Sequence, residues 1–190
     1  MSLQKGPYQV DLPNCINPLD RRTKIRRGLW HFIIKPLYRF IPGKRSALRL
    51  FVLRRMGAQI GYDCTVQQGV DILMPWNLIL GDHVAIAREV KILNFAPITI
   101  HPMTVISQYA HLCAGSHDYT HPHFTLIEKP INIGAESWVA SGSFIGPGVT
   151  LGRGCVIGAN SVVTKDMPEW TVCAGNPCRP LKERVMQTTS

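Results

Sequence analysis

A chain of 190 residues with 45% hydrophobic and only 17% charged side chains is long enough for one domain plus an appendage and too apolar to stay disordered. Its formal net charge of +9 invites a polyanionic partner, which nucleic acid, a membrane surface or a phosphate-bearing small molecule would each satisfy. Cys15, Cys64, Cys113, Cys155, Cys173 and Cys178 form no C-x-x-C pair, which argues against a disulfide scaffold or a zinc ribbon and for a reducing cytoplasm.

The first predicted elements are two helices, about Arg21 to Phe40 and Lys44 to Met56, separated by Ile41-Pro42-Gly43. Both mix Arg or Lys with Trp30, Phe32, Leu48, Leu50, Phe51 and Leu53. Two readings of them stay open: a cap over the end of the domain that follows, or a contact with a membrane surface. Their most apolar stretch, Trp30 to Ile41, is broken by Lys35, Pro36 and Arg39. It is too short and too charged to span a bilayer and has no cleavage motif after it, so no signal peptide is expected.

From Ile60 onward a period of six residues takes over. Aliphatic side chains stand at Ile60, Val66, Ile72, Leu80, Ile86, Ile92, Ile100, Ile106 and Leu112, and again at Ile133, Val139, Ile145, Leu151, Ile157 and Val163. Four residues after these come mostly small or β-branched side chains: Cys64, Val70, Val84, Val90, Ala96, Thr104, Ala110, Ser116, Ser137, Ser143, Val149, Cys155 and Ser161, with Trp76 and Met167 as exceptions. Gly61, Gly81, Gly134, Gly146, Gly152 and Gly158 directly follow an aliphatic, where a tight turn is expected to need backbone freedom. Each hexapeptide thus supplies one short strand and one turn. Three of them close a triangular coil, and about five stacked coils bury the aliphatic column, because no coil can bury its own face alone. Two-residue corner bulges are expected at Pro75-Trp76-Asn77 and at Ile98-Thr99. Cys64 and Cys155 fall in the small inward column and read as packing.

Between Ser116 and Pro130 the period breaks into an excursion loop carrying His117, Asp118, His121, Pro122 and His123. Long excursions from a regular scaffold tend to be functional. After Val163 the coil ends irregularly and a short helix is expected from Pro180. The predicted organisation is all-β: an N-terminal extension over 1–58, a parallel β-helix over 59–168 and a tail over 169–190.

Histidine is the natural base near neutral pH, and His117 sits where a completed coil meets the loop, held by a rigid element yet open to a cleft. A plain surface residue is the alternative for any His here, and His121 and His123 fit it better. Nothing in the sequence shows that the adjacent Asp118 orients His117.

Three stretches carry a resemblance: Leu93-Asn94-Phe95-Ala96-Pro97, Gly115-Ser116-His117-Asp118-Tyr119, and the run from Ile145-Gly146-Pro147-Gly148-Val149 through Val163-Thr164-Lys165-Asp166 to Ala174-Gly175-Asn176-Pro177. Over roughly residues 57 to 182 the chain resembles the left-handed β-helix hexapeptide-repeat O-acetyltransferases, which include galactoside and maltose enzymes, and most of all the colanic-acid and exopolysaccharide branch. The resemblance implies the left hand of the helix, acetyl-CoA as donor, direct transfer to a sugar hydroxyl, and a homotrimer with sites between neighbouring β-helices. It puts the catalytic base on His117, pantetheine contacts on Ser141 and Ala159, and contacts to the CoA nucleotide and phosphates on Thr164, Lys165, Arg179 and Lys182. The basic members of that set suit polyphosphate in their own right. Trp138 could pack on the CoA arm or in a subunit interface. Where the galactoside and maltose enzymes have a sugar-binding Asn, this chain has Ala87, leaving Arg88, Asn94 and Tyr109 as acceptor contacts.

Rival readings are an N-acyltransferase acting on an amino nucleotide-sugar, a zinc-dependent γ-type carbonic anhydrase and a non-catalytic scaffold. The spacing of His117, His121 and His123 lacks the H-x-x-x-x-H of the carbonic anhydrases, so no metal is expected. The basic residues are not interleaved with stacking aromatics, so no nucleic acid is expected either. Location is expected in the cytoplasm, with the inner face of the membrane open to the basic helices.

Overall fold

The computed structural model describes residues 10, 11, 14, 19–43 and 45–187, so Cys15 and Lys44 lie outside it. Its core is a parallel stack with three faces. The first face joins Gln59–Ile60, Leu78–Leu80, Ile98–Ile100, Ile131–Ile133 and Thr150–Leu151. The second joins Thr65–Val66, Ala85–Ile86, Val105–Ile106, Trp138–Val139, Val156–Ile157 and Thr171–Gly175. The third joins Asp71–Ile72, Lys91–Leu93, His111–Cys113, Phe144–Ile145 and Val162–Val163. These make five complete coils, and Met167, bridged to Leu151, begins a partial sixth that Thr171–Gly175 continues.

The period of six works through two inward columns. Every aliphatic from Val66 to Val163 is buried, and Ile60 at the open end is half-buried. The small column closes the corners, where its hydroxyls reach the turn of a neighbouring coil. Thr104 Oγ1 donates to Gly134 O at 3.1 Å, Ser137 Oγ to Gly152 O at 3.1 Å and Ser143 Oγ to Gly158 O at 2.9 Å. A buried hydroxyl is tolerated because it is bonded. Cys155 is fully buried, and burial pushes its thiol far above the usual range, in keeping with a packing role.

Four expectations need correction. The glycines after the aliphatics do not supply positive φ; residues such as Asp63, His83, Glu136 and Asn160, two positions on, take that conformation. Their purpose is clearance between coils: a Cβ on Gly134 would lie 2.6 Å from Arg153 N, and one on Gly152 2.4 Å from Glu169 N. The second corner bulge is not at Ile98-Thr99, which are regular strand residues paired with Leu78-Ile79 and Ile131-Asn132. The extra length is taken up by Asn94 to Pro97. Ser116 is exposed, because residues 115–117 leave the coil, and Ala114 is buried at that corner instead. Finally, the segment from Pro180 is not helical. Cys178–Glu183 is a strand running antiparallel to Thr171–Gly175, whose otherwise open edge it pairs.

The N-terminal segment forms α1 (Arg21–Leu29), one π-helical turn (Trp30–Ile34), α2 (Lys35–Arg39) and α3 (Ser46–Arg55). Asp20 caps α1 by accepting from Thr23 N at 2.8 Å. This segment covers the first coil. Trp30 is fully buried and donates its indole N–H to Ile72 O at 2.8 Å, while Leu50 and Leu53 are buried in the same core. Ser46 Oγ accepts from Val66 N at 3.0 Å, and Lys35 pairs with Asp71. Backbone groups of the first coil that would otherwise face water are satisfied in this way.

Candidate active site

The excursion at 116–130 is an antiparallel hairpin rather than an irregular loop. Gly115–His117 pairs with Leu126–Glu128, so that His117 lies opposite Leu126. It leaves the corner between the third face of one coil and the first face of the next, rooted by Ala114 N to Leu93 O and Lys129 N to Ala114 O, both at 3.0 Å. The Leu93–Pro97 stretch forms the seat beneath it. The Gly115 backbone lies so close to the Phe95 ring that a Cβ there would be 2.5 Å from it.

His117 is exposed at the end of the first hairpin strand. Its ring stacks on Phe124, with centroids 4.5 Å apart and planes 15° from parallel. Its Nδ1 lies 2.7 Å from Phe124 O. A carbonyl only accepts, so Nδ1 carries a proton, and in the neutral ring the lone pair is on Nε2. Phe124 holds that carbonyl in place with a φ of 47°, an uncommon value for a bulky residue, stabilised by Phe124 N donating to His121 O at 2.9 Å. A backbone oxygen therefore does the orienting that sequence alone left unassigned. Asp118 is occupied elsewhere: it accepts from Thr120 Oγ1 at 2.6 Å and Thr120 N at 2.9 Å, bonds that hold its carboxyl below the usual carboxylate range. His121 Nδ1 meets His123 N at 3.1 Å and Thr125 Oγ1 at 3.2 Å, serving the hairpin turn. Among the described residues no three His, Cys, Asp or Glu side chains converge as a metal-holding group.

Four of the sequence-derived residues line up on one edge, the corner after the second face. Arg88, Tyr109, Ser141 and Ala159 occupy successive coils there. Backbone bonds run along the edge from Tyr109 N to Arg88 O (3.3 Å), Gly142 N to Gln108 O (3.1 Å) and Asn160 N to Ser141 O (2.9 Å). Arg179 stands at the upper end, since it pairs with Ala174, which stacks over Gly158. Trp138 flanks the same edge on the second face, with Nε1 donating to Ser107 Oγ at 2.9 Å, and Lys182 pairs with Val172 at the top of that face. Thr164 and Lys165 are exposed at the other border of the third face, the corner from which the His117 hairpin also departs. One chain therefore puts His117 and the Ser141–Ala159 edge on opposite sides of a face.

Asn94 does not join either group. It is fully buried, with Oδ1 accepting from Met74 N at 2.9 Å and Nδ2 donating to Met74 O at 2.6 Å. Its carboxamide ties two coils together under the hairpin and presents nothing to an acceptor. Polarity in the sequence could not separate a buried coil tie from a surface ligand contact.

The model of the bacterial transferase hexapeptide family (six repeats) matches residues 130–165. A putative colanic acid biosynthesis acetyltransferase of Escherichia coli (strain K12) is 40% identical over 161 residues, spanning 85% of this chain and 88% of the relative. A galactoside acetyltransferase solved in complex with coenzyme A superposes with a TM-score of 0.81 at 26% identity, over 90% of this chain and 86% of that one. A hexapeptide-repeat-containing acetyltransferase from Vibrio cholerae O1 biovar eltor, complexed with acetyl coenzyme A, gives 0.80 at 25% identity, over 90% and 93% of the two chains.

Proposed function

The chain belongs to the hexapeptide-repeat acetyltransferases, and from that premise we propose that it moves acetyl from acetyl-CoA to a hydroxyl of a sugar or polysaccharide precursor. The observation that carries this reading is the bond between His117 Nδ1 and Phe124 O, which leaves Nε2 as a free, fixed base. As the acceptor oxygen attacks the thioester carbonyl, its proton passes to Nε2. The tetrahedral intermediate then expels CoA thiolate, and the imidazolium returns the proton to sulfur. The Phe124 carbonyl facing Nδ1–H favours the positive ring while it lasts.

The donor lies along the corner of Ser141 and Ala159, with Trp138 beside its arm and Arg179 and Lys182 at the phosphate-bearing end. Thr164 and Lys165, on the corner that carries His117, reach the donor from the neighbouring subunit in this reading. Because His117 and this corner border opposite sides of one face, a homotrimer that sets neighbouring β-helices side by side would bring them together across an interface. Arg88 and Tyr109, lower on the same corner, are the acceptor contacts in this reading. The location that goes with it is the cytoplasm, at the inner face of a membrane.

The test follows CoA thiol release from acetyl-CoA over a panel of oligosaccharides and nucleotide-sugars. His117→Ala should lower kcat by about two to four orders of magnitude, the usual worth of a positioned base. His121→Ala and His123→Ala should stay near the parent rate. Parent-like turnover by His117→Ala would remove the proposed base.

A further inference from the structure

The positive charge is not spread over the molecule. Residues 1–58 hold thirteen Lys and Arg against Asp11 and Asp20, a net of +11, whereas residues 59–190 hold eight against ten, a net of −2. No Asp or Glu occurs from Arg21 through Tyr62. Among the described residues, Lys35 is the one cation of this segment that forms an ion pair, with Asp71. Residues 21–55 alone hold twelve Lys and Arg and no acid, and among the described ones the carboxylates of the chain neutralise Lys35 and leave the rest unpaired.

The same cap exposes large apolar side chains. Phe32 is 78% exposed and Phe40 83%, with Ile25, Ile33 and Leu37 each more than half exposed. None of them holds the cap in place; Trp30, Arg49, Leu50 and Leu53 do that from the buried side. Single exposed hydrophobics are ordinary, but a run of them among unpaired cations is the composition of an interfacial helix. Beside Phe32, a cleft of about 320 Å³ is lined by Lys24, Arg27, His31 and Leu73. Its two cations and imidazole, with no carboxylate among them, suit a phosphate diester. No described helix is long and apolar enough to cross a membrane, so the contact implied is one that lies on the surface.

We infer that the helical cap is a docking surface for an anionic phospholipid bilayer, with Phe32, Phe40 and Leu37 entering the headgroup layer and Lys24 and Arg27 taking a lipid phosphate. Charge complementarity selects this occupant: a protein partner would have to be strongly acidic over the same area, and a second copy of this cap would bring like charges together. The inference rests on the proposed location at a membrane face and is independent of the reaction. If the protein is a trimer, rotation about the three-fold axis keeps all three caps at one height, so a single flat surface meets all of them.

The test is co-sedimentation of the full chain with vesicles. Binding is expected to vesicles of phosphatidylglycerol in phosphatidylethanolamine, with little to pure phosphatidylcholine, and should fall as salt is raised. Phe32→Ser with Phe40→Ser, and separately Lys24→Gln with Arg27→Gln, should each weaken binding, the latter by about fivefold per cation removed. Melting temperature and light-scattering mass should remain at the parent values. Three results overturn the inference: no binding to the anionic vesicles, equal binding by both double variants, or a change of oligomeric mass in the phenylalanine variant, which would make the patch a contact between copies. Loss of thiol release with vesicle binding intact would count against the acetyl transfer alone.

Discussion

Replacing Arg49 tests how the cap is held. This side chain is 1% exposed and has no carboxylate partner among the described residues. Its guanidinium donates to Val66 O at 2.7 Å, Ile41 O at 3.1 Å, Pro42 O at 2.9 Å and Gly43 O at 2.8 Å, clamping the Ile41-Pro42-Gly43 turn to the first coil. In Arg49→Met the stem volume stays and the donors go. Val66 O keeps Ser46 Oγ at 3.3 Å and Pro42 O keeps Arg45 N at 2.9 Å, so Ile41 O and Gly43 O bear the loss. One stranded buried acceptor costs about 1–3 kcal/mol and each lost charge-assisted bond somewhat more, offset by no longer burying a cation; the net is about 2–4 kcal/mol. Because stability in a stacked fold is local, the effect should be uneven. Hydrogen exchange should show amides between residues 21 and 72 losing protection while those beyond 131 keep theirs. Arg49→Lys should recover little, since one ammonium cannot reach four carbonyls in different directions. Unchanged exchange throughout the cap of Arg49→Met would refute the clamp.

Lys165, Arg179 and Lys182 are exposed, so replacing all three by Ala should weaken acetyl-CoA binding in calorimetry while leaving the melting temperature almost unmoved; unaltered affinity would remove them from the donor site. His111 stands between Lys91 and Phe144 on the third face, and burial, with Lys91 adding to it, depresses its pKa below the ordinary 6.5. Its folded form resists protonation, so stability should be full above that value and decline as pH falls through and below it, and His111→Phe should flatten the fall in a series of thermal melts. An identical slope in parent and variant would show that His111 does not contribute.

The coils were legible because their cause is written at fixed spacing: each aliphatic must find the one above it, and Val66 through Val163 do so. His117 was legible for a related reason, since the period stops beside it. What orients His117 was not, because the partner is the carbonyl of Phe124, and every residue has a carbonyl; only the fold says which one arrives. The reason for Gly134 and Gly152 escaped for want of the neighbouring coil, whose backbone is what excludes a Cβ. Asn94 looked like a ligand contact because it is polar, yet the backbone N–H and carbonyl of Met74 in the neighbouring coil take both ends of its amide and make it a core residue. A helix was expected from Pro180, but pairing with the edge of Thr171–Gly175, a partner distant from local sequence, made it a strand.

That antiparallel return also bears on how the protein stays finite. A stack of parallel coils has no inherent length, and each end offers backbone N–H and C=O groups to any similar coil, including the end of another molecule. Here the two ends are made unlike anything that could continue them. At one, α3 and the Arg49 clamp take the groups of the first coil. At the other, Cys178–Glu183 reverses direction on the second sheet, so a further parallel strand finds the wrong polarity there. Beside the donor contacts that Arg179 and Lys182 bring to the second device, head-to-tail growth into filaments is what both of them block.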